Sequence, residues 1–317
     1  MTNQFSCEGY ARGWFLVALS EELASGAVKP LRYFGKNLVL FRTESGTPIV
    51  LDAYCPHMGA HLAYGGKVKG DEIECPFHAW RFDGQGTCTD IPYAKKIPSR
   101  ADTVCWPVRE RNGMIFVWHG RDKSSPSWEI PEIPEFGNSS WTNWDHNVLE
   151  VKTHPHAIAE NVADTGHFIP VHQTHVTAFE NTYDHHMATQ INSGIAYPLG
   201  GGEDRYTIRA TYHGPGFQLS RMDGYLQSII VNAHTPIDEN TLHLRFAIMI
   251  SRPKDDEKAA EFLAQYMKNL RDGFLQDIRI WEHKVFRERP VLCDGDGPIP
   301  RLRKWYRQFY EPVTQEA

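Results

Sequence analysis

Cys55 and His57 stand two residues apart and Cys75 and His78 three apart, with 17 residues between the two pairs. Each pair offers one thiolate and one imidazole, so one iron can take both cysteines and a second iron both histidines. That is the ligand set of a [2Fe–2S] centre in which two His replace two Cys on one iron, which raises the reduction potential above that of an all-thiolate cluster. Zinc is the alternative, but it usually takes Cys with Cys and His with His, in C-x2–4-C and H-x3–5-H spacings. Both arms here are mixed. Pro56 and Pro76 follow the two cysteines, which suits two loops closing over a cluster from opposite sides. His61 has no spacing partner and is assigned to the surface or to the surroundings of the cluster. A centre of this kind passes single electrons, so the next question is what receives them.

A second constellation lies at Glu160–His172, where His167 and His172 are five apart and Asp164 precedes His167 by three. At about 100° per helical residue, Asp164 and His167 share a face, whereas His172 falls about 140° from His167. Pro170 lacks an N–H for the carbonyl of Gly166, so a kink or break at Pro170 is expected to let both imidazoles converge on one metal. A facial triad of two His and one carboxylate, the arrangement of non-haem Fe(II) oxygenases, needs one acid more. A helical pattern over about Glu257 to Phe286 carries the apolar stripe Leu263, Met267, Leu270, Phe274, Ile278, Trp281 and Val285. Asp277 falls at the edge of that stripe and Asp272 on the opposite side. A buried carboxylate must be paired or bound to metal, so Asp277 suits the ligand role. It could instead pair with Arg279 or Lys284, and Glu160 and Asn161 could support a helix start.

The elements that must hold these groups divide the chain in two. Short strand patterns run from about Trp14 to Trp118, among them 38–42, 48–51 and 114–118, with turn signals at Asp83-Gly84 and Asn112-Gly113. The second arm then lies between strands, as a rigidly held cluster requires. Residues 122–140 are rich in Ser, Pro and Gly and form a linker, so we set an all-β domain at 1–125 and a second domain at 126–317. The second domain alternates apolar and polar residues at 206–212, 227–233 and 241–250, a pattern that suits an antiparallel sheet with one face on a core. The fold class is therefore α+β. A substrate pocket is expected to draw on 176–183, 195–199 and 219–250.

Composition narrows the function further. The 317 residues carry a net charge of −6 and no basic block, which disfavours a nucleic-acid partner. No apolar run is long enough for a membrane span, and residues 1–10 lack the pattern of a secretory signal. The other cysteines, Cys7, Cys88, Cys105 and Cys293, are then expected as reduced thiols of a cytoplasmic protein. No G-x-G-x-x-G follows a strand, and Gly200-Gly201-Gly202 lacks that spacing and is assigned to a flexible loop, so no dinucleotide site is expected.

With both constellations in view, the chain resembles the oxygenase component of Rieske non-haem iron oxygenases. Within that family, 276–284, Asp296-Gly297-Pro298 and 302–306 are similar to the 3-ketosteroid 9α-hydroxylase group, with weaker likeness at 188–190 and 212–215. The resemblance implies an N-terminal Rieske [2Fe–2S] domain and a helix-grip catalytic domain. It implies Cys55, His57, Cys75 and His78 on the cluster, and His167, His172 and Asp277 on a mononuclear Fe(II). It also implies Asp164 and Asn161 as catalytic-site residues and a head-to-tail homotrimer in which Asp164 links His78 of a neighbouring subunit to His167. The expected activity is hydroxylation of a hydrophobic polycyclic, steroid-like molecule with O2. NAD(P)H would supply the electrons through a separate flavin/iron–sulfur reductase, with or without a ferredoxin. Demethylation or desaturation of another hydrophobic ring substrate is the second reading. A carrier of electrons whose second domain only docks is the third.

Overall fold

The computed structural model describes residues 9–120, 125–196, 203–224, 226–252 and 256–310. Gly200-Gly201-Gly202, Cys7 and the linker's first residues lie outside that range. The chain forms two compact units, Trp14–Glu132 and a second from Ile133 onward that also takes the described residues up to Gly13.

The first unit is built of strands β1 (Gly13–Leu19), β2 (Val28–Tyr33), β3 (Lys36–Arg42), β4 (Pro48–Asp52), β5 (Lys67–Lys69), β6 (Glu72–Glu74), β7 (Arg81–Phe82), β8 (Cys88–Asp90), β9 (Cys105–Trp106), β10 (Val108–Arg111) and β11 (Met114–His119). They make three antiparallel sheets, ordered β1-β11-β10, β2-β3-β4-β9 and β5-β6-β7-β8. Asn112 and Gly113 both adopt positive φ (56° and 73°) and join β10 to β11 as the two-residue turn their sequence signals. Asp83-Gly84 behaves differently. The β7–β8 connection is a five-residue loop (83–87) in which Gly86, not Gly84, takes the left-handed conformation. The Asp83 carboxylate accepts the N–H groups of Gln85 and Thr87 and so holds that loop.

The second unit contains β12 (Asp145–Val151), α1 (Pro155–Ala159), a single 3-10 turn (Glu160–Val162), α2 (Phe168–His172), β13 (His175–Asp184), β14 (Met187–Ala196), β15 (Asp204–His213), β16 (Phe217–Asp223), β17 (Ser228–Pro236), β18 (Leu242–Ile250), α3 (Asp256–Trp281) and α4 (Ile299–Arg307). The strands form one seven-stranded antiparallel sheet in the order β12-β18-β17-β16-β15-β14-β13. The expected strands at 206–212, 227–233 and 241–250 are β15, β17 and β18. Alternation places Leu242, Leu244, Phe246, Ile248 and Ile250 on one face, where they pack with Met267, Ile278 and Trp281 of α3. Each such buried side chain contributes about 1.5–3 kcal/mol by leaving water.

The α3 stripe ends sooner than its pattern suggests. The helix stops at Trp281, and Val285 lies beyond it with 45% of its surface exposed. Asp272 is exposed and pairs with Lys268, one turn earlier, whereas Asp277 is buried.

This unit also buries imidazoles. Burial pushes His234, His154 and His213 each down to about 4, with His234 adding to the effect at His154 and His186 to that at His213. His234 is fully enclosed, and its Nε2–H donates to the Pro215 carbonyl at 2.8 Å, leaving Nδ1 without a partner among the described residues. With folded values below the usual 6.5, the native state binds fewer protons than the unfolded chain between these limits. Stability is therefore complete above pH 6.5 and is lost as pH falls toward about 4, by up to about 3 kcal/mol for one such group. Urea midpoints measured from pH 7.5 to 4.5 should fall steadily across this window, and a flat profile would contradict the burial of these rings.

Candidate metal centre and electron-entry site

In the first unit the two predicted arms are near copies of one another. Cys55 N–H donates to Ala60 O and Gly59 N–H to Cys55 O; Cys75 N–H donates to Trp80 O and Ala79 N–H to Cys75 O. The fifth residue of each arm is left-handed, Gly59 at φ 74° and Ala79 at φ 57°. That geometry is free for glycine and costs alanine about 1–2 kcal/mol. The first arm follows β4 and the second spans β6 to β7, so strands hold both. Cys55 and Cys75 are buried within the hydrophobic core of the unit, while the His57 and His78 rings lie 4.6 Å apart.

These four side chains suit a cationic cluster. Burial pushes the Cys55 thiol up to about 11, and the neighbouring Cys75 sulfur adds to this. Two adjacent buried thiolates need a positive charge between them. His78 Nδ1 is buried with no hydrogen-bond partner among the described residues, as would suit a metal ligand. His61 sits outside this set. Its ring packs edge-on to Tyr54, and its Nδ1 accepts the Ala63 N–H at 3.2 Å.

In the second unit the structure brings His167, His172 and Asp277 together, with one ligand atom of each within 4.8 Å of the others. His172 Nε2 lies 3.3 Å from Asp277 Oδ2. The route to this convergence differs from the expectation that Pro170 breaks a helix between the two histidines. The interruption comes earlier, at 163–166, between the 3-10 turn and α2. His167 caps the N-terminus of α2 and His172 is its last residue. Pro170 sits in the first turn, where its missing N–H would have no intrahelical partner anyway. Gln173, at φ 53°, then ends the helix: its N–H reaches Ile169 O and the Thr174 N–H reaches Phe168 O. Asp164 and His167 therefore meet across a turn rather than along a helix face. Their Oδ2 and Nδ1 stand 3.6 Å apart, too long for a hydrogen bond, so His167 Nδ1 lacks a hydrogen-bond partner among the described residues. Burial would push the Asp164 carboxyl up, but the His167 ring and the N–H groups of Gly166 and His167 outweigh it and hold it below its usual value.

The surroundings lock this loop in place. Glu160, buried, binds Lys284 at 3.0 Å and Arg303 at 2.6 Å, with His156 Nε2 at 3.7 Å. Lys284 is thus engaged with Glu160, and Asp277 faces His172. Asn161 accepts the Trp281 indole N–H at 3.4 Å and faces the cavity described below. Thr165 donates its hydroxyl to Gly295 O. A Cβ on Gly297 would stand 1.7 Å from the Ala163 carbonyl oxygen. Gly297→Ala must therefore push the 163–165 backbone away, at a cost of about 1–3 kcal/mol or more. We expect it to lower the thermal midpoint and the retention of mononuclear iron, measured by metal analysis. At Gly295 an added Cβ would meet only Cys293 Sγ at 3.9 Å, and Gly295→Ala should change neither.

A cavity of about 770 Å³ adjoins His167 and His172. Its apolar wall comes from α3 (Phe262, Tyr266, Leu270, Phe274) together with Phe168, Leu226 and Ile230; its floor comes from β14 to β17. On that floor Gln190 Nε2, Asn192 Oδ1 and Asn232 Oδ1 are buried without a partner among the described residues. Sequence reasoning located only part of this lining. None of 176–183 contributes, 197–199 lie outside the described residues, and of 219–250 Ser220, Met222, Leu226, Ile230 and Asn232 take part. The period-two pattern of β14 and the inward face of α3 were available signals for the residues that were missed.

Comparison with known proteins agrees with this geometry. Residues 13–101 match the Rieske [2Fe-2S] domain, and residues 117–310 match the 3-Ketosteroid 9alpha-hydroxylase C-terminal domain. A 3-ketosteroid-9-alpha-monooxygenase, oxygenase component, of Rhodococcus rhodochrous is 37% identical, over 96% of this chain and 84% of its own. Cholesterol 7-desaturase nvd 1 of Ciona intestinalis is 34% identical, over 95% of this chain and 69% of its own. The crystal structure of dicamba monooxygenase bound to dicamba superposes with a TM-score of 0.77 at 19% identity, over 95% of this chain and 98% of that one, a likeness of fold. Mixed Cys/His arms, a triad of two His and one carboxylate, and matches along nearly the whole length converge: this chain belongs to the 3-ketosteroid 9α-hydroxylase family of Rieske oxygenases, whose members imply a [2Fe–2S] cluster and a mononuclear iron.

Proposed function

We propose that this chain is the terminal oxygenase of a multicomponent system that hydroxylates a hydrophobic polycyclic, steroid-like substrate. In this reading Cys55, His57, Cys75 and His78 hold the cluster in a domain ending near residue 125. His167, His172 and Asp277 hold Fe(II) in the domain that follows. Electrons come from NAD(P)H through a separate flavin/iron–sulfur reductase, with or without a ferredoxin, and O2 is the co-substrate. The bound iron supplies O2-activating chemistry.

The observation that carries the reading is the cavity beside His167 and His172. At about 770 Å³ it falls within the usual range for small-molecule sites, about 300–1,000 Å³. The chain's own part is to place a substrate carbon beside the histidine pair and to limit water there, a role that the apolar side chains Phe262, Leu270 and Phe274 of α3 suit. The unpartnered amide atoms of Gln190, Asn192 and Asn232 favour a ring system bearing oxygen over a bare hydrocarbon, because a buried polar atom left unmatched costs about 1–3 kcal/mol. Asn161, at the cavity wall beside both histidines, helps to orient the substrate.

Assembly as a head-to-tail trimer would bring His78 of one copy against Asp164 of the next. The partly exposed Asp164 carboxylate beside His167, and the exposed Met58 and Phe77 at the tips of the ligand arms, support this. The described thiols, Cys88, Cys105 and Cys293, are free, as a cytoplasmic setting would keep them. The test is a single-turnover assay of the pre-reduced holoprotein with a panel of ketosteroids, read by mass spectrometry. One added oxygen is the expected product signature, and no product across the panel would reject the substrate class. Loss of two hydrogens would instead favour desaturation, the chemistry named for the Ciona relative.

A further inference from the structure

The two histidines expected on the cluster are backed by different rings. His78 lies against Phe77, with centroids 3.8 Å apart and planes at 39°. His57 is stacked face to face on Trp80 of the opposite arm, at 4.6 Å and 9°. Trp80 is itself buried, and its indole N–H donates to the Tyr93 hydroxyl at 2.8 Å. Phe77 has no polar handle by which anything could hold or polarise it. Trp80 has one, and Tyr93, 62% exposed on the loop after β8, occupies it.

We propose that Trp80 and Tyr93 are positioning residues that lower the reduction potential of the [2Fe–2S] cluster through His57: Trp80 by stacking on the imidazole, Tyr93 by accepting the indole N–H. The face of an indole is negative, and a cation or partial cation above it is stabilised. An imidazole on oxidised iron carries more positive charge than the same ring after one electron has arrived, so the stack favours the oxidised state. Accepting the N–H leaves more electron density on the indole and strengthens the preference. The hydrogen bond also fixes the ring plane, and with it the orientation of His57, as partners behind metal ligands do. The Tyr93 hydroxyl acts only through Trp80; its ring, which Tyr93→Phe keeps, stands 6.3 Å from that of His78.

The inference rests on His57 binding the cluster, so the experiment separates the two. Wild type, Tyr93→Phe, Trp80→Phe and the double variant are prepared with cluster content set by visible absorption and the reduced-state EPR signal. Midpoint potentials are then titrated at one fixed pH. A wild type without that EPR signal would defeat the ligand assignment itself. With clusters present, Tyr93→Phe should raise the reduced-to-oxidised ratio at the wild-type midpoint by about twofold or more. Trp80→Phe should raise it at least as far, and the double variant should match Trp80→Phe, because Tyr93 has nothing left to act through. A midpoint that Tyr93→Phe leaves in place or lowers overturns the proposal, and so does a Tyr93→Phe shift that persists in the Trp80→Phe background. If Trp80→Phe fails to retain its cluster, the sign of the Tyr93→Phe shift decides alone.

Discussion

Asp277→Ala is expected to leave about two irons per chain where the wild type holds about three, with the visible and EPR signatures of the cluster intact and substrate oxidation abolished. The reason is local. Asp277 is buried on α3, its Oδ2 stands 3.3 Å from His172 Nε2, and it is the only carboxylate in the group formed with His167 and His172. Two neutral imidazoles alone hold a divalent ion far less tightly than a set that includes an anion. A control comes from the same helix: Asp272 is exposed and paired with Lys268, so Asp272→Ala should keep its iron and its turnover. Metal analysis of the purified proteins checks both. An Asp277→Ala protein that still held its full iron would place the third ligand elsewhere.

Asp164→Asn is expected to separate metal binding from activity. Asp164 is not among the three converging side chains that could hold the metal, so both metal sites should fill. Its carboxylate nevertheless lies 3.6 Å from His167 Nδ1, an atom with no hydrogen-bond partner among the described residues. In the proposed trimer it also joins His167 to His78 of the adjoining subunit. The amide keeps the shape and the hydrogen bond from Gly166 N–H but loses the charge. Substrate-dependent oxygen consumption should fall by about 10–100-fold with iron and cluster contents unchanged, and reduction of the cluster by a chemical donor should proceed normally. Oxygen consumption at the wild-type rate would remove Asp164 from the electron route.

The candidate ligand types were legible in the sequence because they are local. Cys55/His57 and Cys75/His78 announce their chemistry by residue type and spacing, and the strands that bracket the arms follow from apolar periodicity. Asp277 could be singled out from Asp272 because a helix of 26 residues converts sequence position into direction, and only one of the two faces the core. The meeting of His167 and His172 was anticipated for the wrong reason. Pro170 marks irregularity, but a proline in a first turn costs nothing, and the real interruption at 163–166 is set by contacts from residues more than 120 positions away.

Those distant contacts mark where the sequence stops informing. Glu160 with Lys284 and Arg303, Thr165 with Gly295 O, and Gly297 against the Ala163 carbonyl all join segments that periodicity treats separately. The cavity depended on the same kind of information. Its floor takes alternate residues of four neighbouring strands and its wall takes one face of α3, so its outline exists only once register and helix placement are known. The stacking of Trp80 on His57 likewise links two arms that the sequence shows only as separate motifs. By itself the sequence determined which atoms can bind metal and which elements carry them, because spacing and periodicity act within a few residues. Only the tertiary structure decided which carboxylate meets which imidazole, what buttresses them, and the shape of the space beside them, because those depend on packing between segments far apart in the chain.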